Sequence, residues 1–115
     1  MRHHNTNRKF GRVRKVRNAL LKSLALSLVL EGKIKTTDAK ARSLRPYVEK
    51  MITTGKTNTV ASKRLLVSKI GATGANKIIK DVSPKYVDRK GGYTRITKLP
   101  RRISDGSLMA VIELV

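Results

Sequence analysis

MRHHNTNRKFGRVRKVR (residues 1–17) runs without a break into NALLKSLALSLVLEG (residues 18–32), and two physical problems meet at that junction. The first half carries seven Arg or Lys residues, two His and no acid. The second turns apolar, with nine of the twelve residues from Ala19 to Leu30 hydrophobic. On a helical wheel Leu20, Leu21, Leu24, Ala25, Leu28 and Val29 fill about half the circumference. Leu26 and Leu30 add apolar surface on the other side, between Lys22, Ser23 and Ser27. The pattern predicts a mostly buried helix, packed by other elements, with a polyanion-seeking arm joined directly to it.

Composition sets the frame for that junction. At 115 residues the chain is most simply one domain, read as a basic arm over 1–16 and a single α+β domain over 17–115. Hydrophobic content of 39% supports a core, and with one Phe, three Tyr and no Trp that core must be aliphatic. A net charge of +20 repels itself in a compact fold unless a polyanion or counterions offset it. Nucleic acid is the favoured partner class, ahead of an anionic membrane surface. Cysteine is absent, so disulfides and thiolate metal sites are excluded. The apolar run from Leu24 to Leu30 is too short to span a bilayer, and no small-residue cleavage pattern follows it. No membrane role and a cytoplasmic location are the resulting expectations.

Outward from the junction, the arm has no apolar periodicity up to about Val13, which predicts an extended course. Gly32 is placed to end the first helix in a left-handed conformation. Lys33-Ile34-Lys35-Thr36 reads as an edge strand, and Thr36 or Thr37 as the cap of a second helix with Asp38 in its first turn. Ala41, Leu44, Val48, Met51 and Ile52 make its apolar stripe, and Pro46 predicts a kink or two abutting helices. Thr53 to Asn58 reads as a polar loop around Gly55. A third helix is expected over Val60 to Ile70, a break over Gly71 to Gly74, and a short fourth helix stopped by Ser83-Pro84. The segment from Pro84 to Gly92 reads as a loop. Tyr93 to Leu99 and Leu108 to Val115 read as strands, the second covered on both faces. The whole is an α+β fold: a small three-stranded mixed sheet packed against helices.

Chemistry finds no foothold in this pattern. The seven acids are scattered, with no pair spaced for one helical face. Both histidines lie in the arm, a poor place to hold catalytic geometry. His3, third from the amino terminus, has the spacing of a square-planar Cu(II) or Ni(II) chelate. Contact with phosphates or bases is the stronger reading for His3 and His4. No catalytic residue, metal, cofactor or small-molecule substrate is therefore expected. Binding remains. Arginine donates a fork to phosphate and stacks on bases, and here basic residues stand on nearly every segment. A DNA reader concentrates base contacts on one recognition helix, whereas this distribution suits a protein set among folded RNA segments. The rival reading is a nucleoid-type DNA architectural protein, for which the Pro100 to Ser107 loop with Ile103 is a short wedge.

Particular words sharpen the RNA reading. They are Met1-Arg2-His3, Gly11-Arg12, Ala19-Leu20-Leu21, Leu24-Ala25 with Ser27-Leu28, Thr36-Thr37, Ala39-Lys40-Ala41, Arg45-Pro46, Glu49-Lys50, Asp88-Arg89, Gly91-Gly92-Tyr93-Thr94-Arg95-Ile96, and Met109-Ala110 with Ile112-Glu113-Leu114. In this order the chain resembles the bacterial large-subunit ribosomal protein seventeen family over nearly its whole length, thinning between Gly55 and Val82. Asn5-Thr6-Asn7 departs from a stretch usually more basic, and Val16 stands where the family commonly has histidine. The resemblance implies a structural constituent of the large ribosomal subunit, bound to large-subunit ribosomal RNA near the outer end of the peptide exit tunnel. It also implies contact with neighbouring large-subunit ribosomal proteins. Matching positions implied to touch RNA are Arg2, His3, Arg12, Lys40, Arg89, Tyr93 and Arg95. Charge and place in the arm or hairpin loop add His4, Arg8, Lys9, Arg14, Lys15, Arg17, Arg101 and Arg102.

Overall fold

Apolar spacing and left-handed stops divide the chain where the sequence expects in most places. The structure, a computed structural model, describes residues 3–4 and 7–115. Helix α1 spans Arg14–Glu31. It ends at Gly32, φ +79°, whose N–H donates to the Leu28 carbonyl at 2.7 Å. Because α1 begins at Arg14, residues Arg14, Lys15 and Val16 belong to its first turn and not to an extended arm. The arm itself is not a straight run either. Phe10 and Gly11 both take positive φ, +56° and +61°, and the Arg12 N–H donates to the Lys9 carbonyl at 3.1 Å. The segment turns back instead.

Strand β1 (Lys33–Thr37) leads directly into helix α2 (Asp38–Thr57). The Thr37 hydroxyl caps that helix by accepting from the Lys40 N–H, and Asp38 stands at its positive end. All five residues of the predicted stripe are buried. The helix continues through Pro46 as one element, and the loop predicted over Thr53 to Asn58 does not form. The stripe's next step after Ile52 falls on Gly55, which is buried against Ser83 and Ile78. Packing therefore carries α2 on past Pro46, until Asn58 stops it at φ +50°.

Helix α3 (Val60–Ile70) matches its expectation and is capped by Thr59. Gly71 alone, at φ +92°, separates it from α4 (Ala72–Lys77). Gly74 lies inside α4, packed so closely that a Cβ there would lie 2.8 Å from the Ile70 side chain. The chain then passes through a π-helical turn (Ile78–Val82) and a 3-10 turn (Ser83–Tyr86). Pro84 explains the change of pitch, since it has no N–H to offer the Lys80 carbonyl. The Ser83 hydroxyl donates to the Ile52 carbonyl at 3.1 Å and ties this segment to α2.

Strands β2 (Thr94–Leu99) and β3 (Met109–Leu114) complete a sheet of order β1-β3-β2. Both pairings are antiparallel, with Ile34, Ile112 and Ile96 in one cross-strand row. The sheet is antiparallel and not mixed, because β3 lies between β1 and β2 and keeps the only two parallel-running strands apart. Coverage of β3 on both faces is also corrected. Ala110 and Ile112 are fully buried against the helices, whereas Val111 and Glu113 face outward and stay partly exposed. Lys33 and Lys35 protect the β1 edge.

Burial also moves the centre of the fold. In α1 only Ala25, Leu28 and Val29 are buried, and Leu20, Leu21 and Leu24 remain partly exposed. Helix α2 buries six residues and packs against α1, α3 and the sheet. It is the central helix.

Candidate nucleic-acid interface

The stripe that buries one side of α2 forces the opposite side outward. Arg42, Arg45, Pro46 and Lys50 lie there at helical spacing, away from the buried stripe. Three hollows open along this face. The first, about 490 Å³, lies between the arm, α1 and α2 and is lined by Arg8, Lys9, Phe10, Arg17, Asn18, Leu21, Arg42, Ser43 and Pro46 among others. The second, about 420 Å³, is lined by Asp38, Arg42, Arg45, Ile96 and Lys98. The third, about 560 Å³, includes Pro46, Glu49, Lys50, Lys69, Lys90 and Tyr93. Arg42 borders the first two and Pro46 the first and third, so they form one continuous basic band.

Two acids lie in this band, and both are engaged by the protein. Asp38 pairs with Arg42 at 3.0 Å and supports the start of α2. Glu49 accepts from the Thr94 hydroxyl at 3.1 Å and lies 3.8 Å from Arg45. Each i,i+4 pair is worth only a few tenths of a kcal/mol, roughly 0.3–0.5. Their effect is to aim the guanidinium groups along the face. Arg42, Arg45, Lys50, Lys69, Lys90 and Lys98 thus line the basic band and are absent from the expected set. The signal for α2 was visible, since polar residues opposite an apolar stripe must face outward. The convergence of α3, the 90–92 loop and β2 on the same face was not.

The expected residues divide into groups. Arg8, Lys9 and Arg17 meet Arg42 in the first hollow, and Arg8 donates to the Ser43 hydroxyl at 3.4 Å. Arg12 donates to the Phe10 carbonyl at 2.7 Å and Arg17 to the Arg12 carbonyl at 3.2 Å. Arginines therefore hold the turned arm as well as charging it. A bulky residue at positive φ such as Phe10 carries strain of about 1–3 kcal/mol and persists only where neighbours impose it. Arg14 and Lys15 are exposed on the first turn of α1, and that turn contains no acid. Lys40 is partly exposed on α2. His3 and His4 are exposed, and Arg2 lies outside the described residues.

Tyr93 departs most from its expected role. It is 1% exposed, so its ring presents no face to a base. Its hydroxyl bonds to Thr53 at 3.2 Å, to the Lys56 ammonium at 3.1 Å and to the Arg89 carbonyl at 3.2 Å. The Thr53 bond, aided by Lys56, draws the phenol below its ordinary pKa against the opposing effect of burial. Tyr93 fixes the 89–93 turn from inside, and the Arg89 side chain is exposed on that turn. Arg95 crosses to Glu113 at 3.4 Å. At the β2–β3 hairpin, Arg102 makes a two-point pair with Asp105 at 3.0 and 2.8 Å, and Arg101 donates to the Gly106 carbonyl. Arg102 and the Ser107 N–H together hold the Asp105 carboxyl well below the usual carboxylate range. These two arginines shape the turn. No group of acidic and histidine side chains among the described residues is arranged to hold a metal.

A small α+β domain with cations from the arm, α1, α2, α3, the 90–92 loop and β2 gathered around one helix has the form of a structural protein that accompanies a polyanion. The chain belongs to the ribosomal protein L17 family, whose model matches residues 20–115. Proteins named large ribosomal subunit protein bL17 are similar along its whole length. That of Sulfurimonas denitrificans is 47% identical, with both chains fully covered. That of Gemmatimonas aurantiaca is 45% identical over all of this chain and 98% of its own. That of Ehrlichia canis is 49% identical over all of this chain and 91% of its own. Membership makes this a structural component of the ribosome and not an enzyme. It also displaces the nucleoid-protein reading.

Proposed function

We propose that this structural constituent of the large ribosomal subunit holds folded large-subunit RNA along the band centred on α2, with the arm closing one end. The observation that supports it most is the band itself: nine lysines and arginines line its three hollows, and its only two acids are already paired inside the protein. A solvated helix face needs no such convergence, whereas phosphates at several positions do. Arg2, His3, His4, Arg12, Arg14, Lys15, Arg89, Arg95, Arg101 and Arg102 extend the contact surface beyond the band. Neighbouring large-subunit proteins are part of the same proposal, as is a position near the outer end of the exit tunnel, which rests on family resemblance.

Salt titration of binding to large-subunit RNA tests the band. Replacing Arg45, Lys50 and Lys98 by Gln should lower the slope of log affinity against log salt by roughly one for each phosphate that is no longer neutralised. It should also reduce incorporation into purified large subunits. An unchanged slope with normal incorporation would remove the band from the interface.

A further inference from the structure

We propose that the hollow between the arm, α1 and α2 receives a single unstacked nucleotide of the bound RNA, with the base on Phe10 and the flanking phosphates on Arg8, Arg17 and Arg42. This rests on the RNA-binding reading and adds a specific pocket to it. The three arginines come from three separate segments yet line one cavity of about 490 Å³, within the range of about 300–1,000 Å³ that small ligands occupy. No acid lines it, whereas the other two hollows contain Asp38 and Glu49.

Phe10 supplies what a purely electrostatic groove lacks. It is the chain's only phenylalanine, and it is partly exposed and outside the hydrophobic core cluster. Its backbone is held at φ +56° by the Lys9–Arg12 turn and by the Arg12 guanidinium on its carbonyl. Core packing explains none of this placement. Bases displaced from RNA helices stack on aromatic rings and on arginine planes, and the Asn18 amide in the same wall can pair with a base edge. Leu21 and Pro46 give the pocket an apolar side.

The full-length chain can be tested with two RNA hairpins of equal length, one fully paired and one carrying a single bulged adenosine. The bulged RNA should bind more tightly, by about 5- to 150-fold for one stacked base. Phe10→Leu should lose that preference and keep affinity for the paired hairpin, while Phe10→Trp should retain it. Because there is one phenylalanine, 4-fluorophenylalanine labelling gives one fluorine resonance. That signal should shift with the bulged hairpin and stay in place with the paired hairpin or with adenosine monophosphate alone. Equal binding of the two hairpins, or an unmoved resonance, would overturn the pocket while leaving RNA binding intact. A monophosphate shift as large as that from the bulged hairpin would overturn its assignment to RNA. Failure to bind either hairpin at moderate salt would overturn the RNA-binding reading together with the pocket.

Discussion

Tyr93 and Asp105 show how single side chains near the basic surface act by shaping it. Losing the Tyr93 hydroxyl leaves Thr53 and Lys56 without their shared partner inside a part-buried network. Tyr93→Phe should therefore cost about 1–2 kcal/mol in chemical denaturation, and an unchanged midpoint would show that the network contributes no stability. Ionisation of this phenol has a defined sign. Its folded pKa is depressed, so the associated stability is present above the ordinary value near 10 and is lost as pH falls through the folded value. Asp105 is also depressed, so its support of the hairpin is present above about pH 4 and fades only well below that. Asp105→Asn should weaken hydrogen-exchange protection of the Gly106 and Ser107 amides at neutral pH without altering global melting. Protection equal to the parent's would separate the turn from the carboxylate.

Helix α2 and strand β3 carry the fold because each is packed from several directions. Gly55 gives the sharpest test. Alanine is favoured over glycine inside a helix by about 1 kcal/mol, yet a Cβ here would lie 2.6 Å from the Ser83 hydroxyl oxygen and 2.7 Å from an Ile78 methyl. Overpacking should win, and Gly55→Ala should destabilise by about 1–3 kcal/mol in urea titration. A more stable variant would mean that the 78–83 segment can move away freely. Ile112 sits in the central strand, fully buried between Ile34 and Ile96. Truncation to Ala should cost about 2–5 kcal/mol through lost transfer energy and the cavity left behind. Denaturation matching the parent would show that β3 is not part of the core.

Charge governs the molecule as a whole. With a net +20 and cations on every element but β3, binding to RNA should weaken steeply with salt. For about six to ten neutralised phosphates the fall is roughly 10³- to 10⁵-fold between about 50 and 200 mM on the duplex-DNA scale. A flat titration would contradict a phosphate-based interface. Removing residues 1–12 should leave cooperative melting largely intact, since among the described ones only Phe10 is partly buried and none of those enters the hydrophobic core. The same truncation removes Arg8, Lys9 and Phe10 from the first hollow and should lower incorporation into large subunits. Equal incorporation, measured in a mixture with the full-length chain, would show that the arm is dispensable.

Periodicity, caps and charge by themselves determined the element order, the buried stripe of α2, the left-handed stop at Gly32 and a polyanion as partner. Each follows from local chemistry: spacing at three and four, a threonine before a helix, glycine where φ must be positive. Tertiary structure decided what local chemistry leaves open. Gly55 reads as a loop residue until Ser83 and Ile78 occupy the space of its missing side chain. Tyr93 reads as an RNA contact until the sheet and α2 enclose it, and α1 reads as central until burial shows α2 in that place. Lys69, Lys90 and Lys98 join the site only because α3, the 90–92 loop and β2 close around one helix. Sequence spacing reports which face a residue occupies within its own element, and only packing decides which faces meet.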